Sequence, residues 1–324
     1  MPLPVAVTGT PITADRARPA VLSGAILFVS MALFTAAQAQ LLDWSPFRWA
    51  SHAAGGVIYE RSAMLIPVTF PDASGTYWMQ LDTGSDATML YEVPLRQLYP
   101  NAPHDSGRDP SVILTGTIGS TPFTHFRFWI KGDFGDPLNA ENPLPVIGTV
   151  GLDMLAGKVL LIDFPKKRFS LLASAEQLPE EYRMHATFVA MRVENGKLFL
   201  HLDIGDTSSD NFFYDTGSSM FPLSTTKRLW QKLTGLSGSG PGSTVIKVQS
   251  WGKEAILLGA PARGDLRFGG LEVKDPTVYY DTTGIIDFAA WPFKTDGFLG
   301  NALFYDEYTV ILDLVRNKFG IQKD

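Results

Sequence analysis

The chain has 324 residues, no cysteine and a formal net charge of −6. With 45% hydrophobic, 12% aromatic and 19% charged residues it is globular in composition, and long enough for one large domain or two lobes of ordinary size. Lack of cysteine excludes disulfides, thiolate catalysis, thiolate metal sites and a lipid anchor on cysteine, and the acidic balance, with no basic block to offset it, argues against nucleic acid as a partner.

The N-terminus reads as an export signal. Arg16 and Arg18 precede an apolar run from Ala20 to Ala37, and Ala37-Gln38-Ala39 supplies the small-residue cleavage pattern. Residues 1–39 are thus expected to form a signal peptide and 40–60 an N-terminal arm. An uncleaved anchor helix is the alternative, since 18 apolar residues are borderline for a membrane span. Both readings place the rest of the chain outside the cytoplasm, periplasmic or secreted, and a membrane is a partner only if the segment stays uncleaved.

From residue 61 onward the chain repeats its own pattern. The first copy runs through Met64–Phe70, a polar turn at Pro71–Gly75 and Thr76–Leu81 into Asp82-Thr83-Gly84-Ser85. The second runs through Leu198–Ile204, a turn at Gly205–Asp210 and Asn211–Tyr214 into Asp215-Thr216-Gly217-Ser218. Apolar strand, polar turn and aromatic-rich strand are hairpin chemistry. The copies also end alike. Gly148 and Gly151 match Gly297 and Gly300, and each pair is followed by an apolar strand ending in Asp163 or Asp313, with phenylalanine six residues later, Phe169 or Phe319.

Short apolar runs and Gly/Pro turns predict a mostly β protein of two lobes, 61–172 and 185–324, joined by a polar linker at 173–184. Short helices are expected at Leu152–Gly157, Ser224–Thr234 and Ala302–Tyr305. Leu236–Ser243 reads as a Gly/Ser-rich loop, and Gly269-Gly270 as a hairpin turn.

The paired motifs carry the chemistry. Hydrolysing an amide with water needs a base to activate the water and an acid to protonate the amide. Two close carboxyl groups sharing one proton supply both, because like charges at short range cannot both ionise. One aspartate from each lobe, Asp82 and Asp215, would make that pair. Gly84 and Gly217 permit a tight turn and close backbone approach. Thr83 and Thr216 offer hydroxyls to cross-link the two loops, and Ser85 and Ser218 offer hydrogen bonds to the carboxylates.

With these motifs, most of residues 61–324 resembles the aspartic peptidases of the pepsin and retropepsin type. The resemblance rests on the two Asp-Thr-Gly-Ser motifs and on the later signals Thr149-Val150-Gly151 and Phe298-Leu299-Gly300. It implies a two-lobed pepsin-like fold, water activation by Asp82 and Asp215, and a late glycine segment packed beneath the paired loops. Thr149 departs from the usual apolar residue at its position. No pepsin-type flap tyrosine follows the first motif: Ser111, where the next strand-like run begins, lies only 29 positions after Asp82. The run Val112–Ile130, turning at Gly119-Ser120, is read as a short retropepsin-like flap with Thr115, Gly116 and Thr117 toward the substrate. Val245–Ala255, turning near Trp251-Gly252, is read as the equivalent hairpin of the second lobe. A plain structural hairpin is the alternative for both.

The five histidines, His52, His104, His125, His185 and His201, show no metal-ligand spacing, and no Gly-x-Ser-x-Gly elbow occurs. The expectation is an aspartic endopeptidase acting on peptide or protein substrates, with no cofactor and no metal. The competing reading is a catalytically silent peptide-binding or inhibitory module on the same fold.

Overall fold

A computed structural model describes residues 42–54, 56–101, 110–139 and 141–324. The expected export signal, residues 1–39, lies outside the described residues. The first half contains β1 (Ser45–Pro46), β2 (Arg48–Ala54), β3 (Val57–Phe70), β4 (Ala73–Leu81), β5 (Met89–Tyr91), α1 (Glu92–Leu98), β6 (Ser111–Ile118), β7 (Thr121–Lys131), β8 (Val146–Val150), α2 (Leu152–Leu155), β9 (Val159–Asp163) and β10 (Arg168–Leu172). After α3 (Glu180–His185) come β11 (Thr187–Ala190), β12 (Arg192–Glu194), β13 (Lys197–Ile204), β14 (Thr207–Tyr214), β15 (Leu223–Thr225), α4 (Lys227–Thr234), β16 (Thr244–Ser250) and β17 (Lys253–Pro261). The chain ends through β18 (Leu266–Phe268), β19 (Leu271–Val273), β20 (Thr277–Asp281), β21 (Gly297–Leu299), β22 (Tyr308–Asp313) and β23 (Lys318–Lys323). The protein is mostly β, and its strands build two lobes on a common base.

Among the described residues these strands form three sheets. A seven-stranded sheet, β2-β3-β4-β8-β5-β7-β6, belongs to the first lobe, and a ten-stranded sheet, from β16 through β14 to β19, belongs to the second. The third has six strands, β1-β10-β9-β22-β23-β11, and draws on both lobes. Its centre is the antiparallel pair β9–β22, with Leu161 opposite Ile311. The two repeated tails therefore pair with each other, and a local two-fold relation passes between them.

Alternation of side chains divides this base. Leu160, Ile162, Val310 and Leu312 face the main core, while Val159, Leu161 and Ile311 face outward under a cover of Ala175, Leu178 and Tyr182. That cover comes from the stretch expected to link the lobes. Its polar residues hide a buried stripe, and α3 places Tyr182 on it.

The repeated aspartates have a structural task. Asp163 and Asp313 are almost fully buried at the ends of β9 and β22. The Lys166 N–H donates to Asp163 Oδ1 (3.0 Å) and the Arg316 N–H to Asp313 Oδ1 (2.8 Å), so each carboxylate closes its own hairpin turn. Arg168 pairs with Asp163 at 2.8 Å. The phenylalanines six positions on, Phe169 and Phe319, return into the core.

Helix ends follow local chemistry. The Thr226 side chain caps α4 by accepting the Leu229 N–H (3.2 Å), and Gly235 closes it in the left-handed region (φ 70°). The helix α1 lies outside the expected helices and carries Pro94 in its first turn. Proline is tolerated in a first turn, and buried Glu92 ties that turn down by accepting the Asp133 N–H (2.8 Å).

Removing either turn-closing carboxylate should lose its hydrogen bonds to the turn, at a cost of about 0.5–1.5 kcal/mol. Asp313→Ala is expected to lower the denaturant midpoint with an unchanged m-value. An unchanged midpoint would show that the turn holds without it.

Candidate active site

Each aspartate stands at the end of the inner strand of its hairpin. β4 delivers Asp82 and β14 delivers Asp215, and each strand runs parallel to the late-glycine strand of its own lobe, β8 or β21. The Asp82 N–H donates to the Val150 carbonyl (3.0 Å) and the Asp215 N–H to the Leu299 carbonyl (2.8 Å). The late glycines make this fit possible. A Cβ on Gly151 would lie 2.6 Å from the Ala87 carbonyl, and one on Gly300 would lie 2.0 Å from the Ser218 carbonyl. Both loops thus rest on a surface that admits no side chain.

The two loops are locked by four reciprocal hydrogen bonds. The Thr83 N–H donates to Thr216 Oγ1 (2.9 Å) and the Thr216 N–H to Thr83 Oγ1 (3.0 Å). Each hydroxyl then donates across: Thr83 Oγ1 to the Tyr214 carbonyl and Thr216 Oγ1 to the Leu81 carbonyl, both at 2.9 Å. Both threonines are completely buried, so every polar group in this lattice must find its partner inside the protein.

Above the lattice the carboxylates face each other's glycine. A Cβ on Gly84 would sit 2.5 Å from Asp215 Oδ1, and one on Gly217 would sit 2.5 Å from the Asp82 carboxyl carbon. The Gly217 N–H donates to Asp215 Oδ1 (2.9 Å) and the Ser85 N–H to Asp82 Oδ1 (3.1 Å). The sequence suggested that serine hydroxyls would do this. Instead the backbone of Ser85 serves, and its hydroxyl turns to the Ala87 carbonyl (2.8 Å). Ser218 contributes a backbone bond to the Asp215 carbonyl (3.2 Å).

Burial sets the electrostatics. Loss of solvent raises the titration of both carboxyls above the ordinary aspartate range. For Asp215 the neighbouring Asp82 charge and the hydrogen bond with Asp82 add to the rise, whereas the same bond favours ionised Asp82. Buried Lys197, at the start of β13, opposes the rise at both groups. Both carboxyls are thus held toward the protonated form, Asp215 the more strongly. Their titration belongs to the pair.

The dyad opens into a cleft of about 810 Å³ lined by both lobes. On one side lie Gln80, Tyr91 and Phe134; on the other, Phe213, Met220 and Trp291. Tyr91 explains the departure at Thr149. Both are buried, and their hydroxyls share a hydrogen bond of 2.7 Å. Burial pushes the Tyr91 phenol up to about 12, so it stays protonated through the neutral range.

The predicted covers fare differently. Trp251 lines the cleft, at the tip of the β16–β17 hairpin. Thr115, Gly116 and Thr117 do not line it. The hairpin β6–β7 turns at Gly119-Ser120 as expected, but β6 is stitched to β3. Gly116, where a Cβ would meet the Thr69 carbonyl at 2.2 Å, allows that close approach. Thr117 bonds Thr69 (2.8 Å), Thr115 accepts the His125 N–H (3.1 Å), and the tip meets Ser45 through the Ser120 N–H (2.9 Å). The short flap expected from 112–130 is therefore not formed there. In its place the N-terminal arm lines the cleft, with Ala50, Ser51 and His52 of β2. No motif marked Tyr91, Lys197 or β2 for these places, which depend on packing between distant segments.

No family model matches the chain, and no curated protein matches it. Among solved structures it is similar to an aspartic proteinase from Irpex lacteus, at 11% identity and a TM-score of 0.48, over 87% of this chain and 97% of that one.

The raised carboxyls have a consequence for stability. An acid whose pKa rises on folding holds its proton more tightly in the folded state. Its stabilising contribution is present at low pH and is lost as pH climbs through the raised value. Asp215→Asn should therefore melt above the parent at neutral pH, with the gap closing on acidification. A melting shift independent of pH would contradict this origin.

Proposed function

We propose that the chain is an aspartic-type endopeptidase hydrolysing peptide bonds with water activated between Asp82 and Asp215. The observation carrying this reading is the pair itself: two carboxyls from separate loops, Asp82 buried and Asp215 half-buried, brought together at the cleft by the threonine lattice. The ionised carboxylate takes a proton from water as its oxygen attacks the peptide carbonyl carbon. The protonated carboxyl gives its proton to the carbonyl oxygen, forming a neutral gem-diol. Collapse of the diol re-forms a carbonyl as one hydroxyl gives its proton to the now ionised carboxylate, and the C–N bond breaks as the other, protonated carboxyl gives its proton to the leaving nitrogen. The carboxyls act as acid and base throughout, without a bond to substrate.

The mixed walls of the cleft suit a peptide, offering aromatic and aliphatic side chains beside polar Gln80 and Ser51. The signal pattern before Gln40 supports work outside the cytoplasm, periplasmic or secreted.

Asp82→Asn and Asp215→Asn are each expected to reduce peptide turnover by about 10⁴-fold while retaining the fold. Full activity in either variant on a peptide library would end the proposal. Gly84→Ala and Gly217→Ala should push the opposite carboxylate aside, and displacement on the ångström scale costs about 10²-fold.

A further inference from the structure

The two lobes place different chemistry at one matching position beside the dyad. In the second lobe Phe199 of β13 stands opposite Phe213 of β14, and the strands are antiparallel. Lys197 lies two residues back along β13 and Asp215 two residues on from Phe213, so the register, continued past the end of β14, brings them level. In the first lobe Leu65 stands opposite Gln80, and the same count sets Ala63 level with Asp82. An alanine accompanies one aspartate and a lysine the other.

The lysine is held in place from both lobes. The turn before it, Asn195-Gly196, is left-handed at both residues (φ 50° and 64°), and a Cβ on Gly196 would lie 2.5 Å from the Asp86 Cβ. The β12–β13 hairpin is therefore pressed onto the first-lobe loop that carries Asp82. Lys197 shares the sheet face of Phe199. Its ammonium donates to the Gly196 carbonyl (3.1 Å) and lies 5.7 Å from the ring centre of Phe293, which packs on Phe199.

Lys197 is only 8% exposed, and a buried ammonium is costly without negative charge to offset it. Its near neighbours do not supply that charge. Glu194, opposite it on β12, is exposed and pairs with Arg192. Asp86 is exposed, and the charged neighbour of Phe293 is another cation, exposed Lys294. Among the described residues Lys197 enters no ion pair. The charges its field reaches are Asp82 and Asp215, and at both it favours the ionised form.

We infer that Lys197 is the standing counter-charge of the carboxyl pair, a positioning residue that keeps one carboxyl ionised and so sets the pH range in which the pair can turn over. The placement rests on geometry; the effect on turnover rests on the endopeptidase reading. The pair must carry one negative charge to take a proton from water, and a fixed cation beside it favours that charge. Because the cation is buried, dissolved salt screens it little.

Lys197→Met keeps much of the side chain's length and removes its charge. The pair should then ionise only at higher pH, and both limbs of the bell-shaped kcat/KM profile should move upward together. At a fixed pH on the acid limb, peptide turnover should fall about tenfold; on the basic limb it should rise above the parent's. Damage to packing lowers a profile without raising either limb. Lys197→Arg should keep both limbs where the parent has them. The same change should be seen without turnover in protein carrying ¹³C-labelled aspartate. The carboxyl signals that vanish in Asp82→Asn and Asp215→Asn should titrate at higher pH in Lys197→Met. Limbs and carboxyl titrations that stay in place in Lys197→Met, or move equally in Lys197→Arg, overturn the inference. A carboxyl titration that moves in a protein cleaving no peptide keeps Lys197 as the counter-charge and ends the endopeptidase reading.

Discussion

Everything in this molecule depends on holding two carboxyl groups together out of water. They repel when ionised and lose hydration when buried, so the pair is unfavourable wherever the chain does not force it. The force comes from below. Thr83 and Thr216 each give one N–H, one hydroxyl proton and one hydroxyl oxygen to the opposite loop. Because both are buried, parting the loops would strand several polar groups without water, at about 1–3 kcal/mol each. The lattice thus resists separation, and the carboxylates are fixed as its passengers.

The lattice requires the two lobes to be alike at their junction. Two-fold reciprocity explains why β9 pairs with β22 and why Asp163 and Asp313 close matching turns. It also explains the glycines that let each late strand pass beneath its loop. Symmetry stops above the dyad. In the first lobe the hairpin after the motif is stitched to β3, and the arm hairpin stands over the cleft in its stead. In the second lobe the hairpin after the motif reaches the cleft itself.

This division accounts for what was legible in the sequence. The base repeats, and repetition can be read in one chain: Asp-Thr-Gly-Ser twice, the glycine pairs, the aspartate–phenylalanine spacing. The strand-rich class followed, as did the β16–β17 hairpin, because alternation and turn residues are local signals. The cover was not legible. Val112–Ile130 and Val245–Ala255 look alike as hairpins, and only the pairing of β6 with β3 removes the first from the cleft. Similarly, Tyr91 and Lys197 reach the dyad through tertiary packing.

The hydroxyl of Thr149 shows how the symmetric base and the asymmetric walls meet. At the matching place in the second lobe stands Phe298, which packs among Phe213 and Phe288. In the first lobe Tyr91 brings a phenol to that position, and a buried phenol needs a hydrogen-bond partner. Threonine meets that need on a strand that otherwise asks for an apolar residue. Tyr91 in turn packs edge-on against Phe134 (4.7 Å between centres), the ring on which Trp251 rests. A polar residue that departs from the repeat thus begins a chain of contacts from the floor of the cleft to its roof. Departures from internal symmetry are where the lobes acquire different tasks: the shared residues hold the carboxyls, and the unshared ones shape what can approach them.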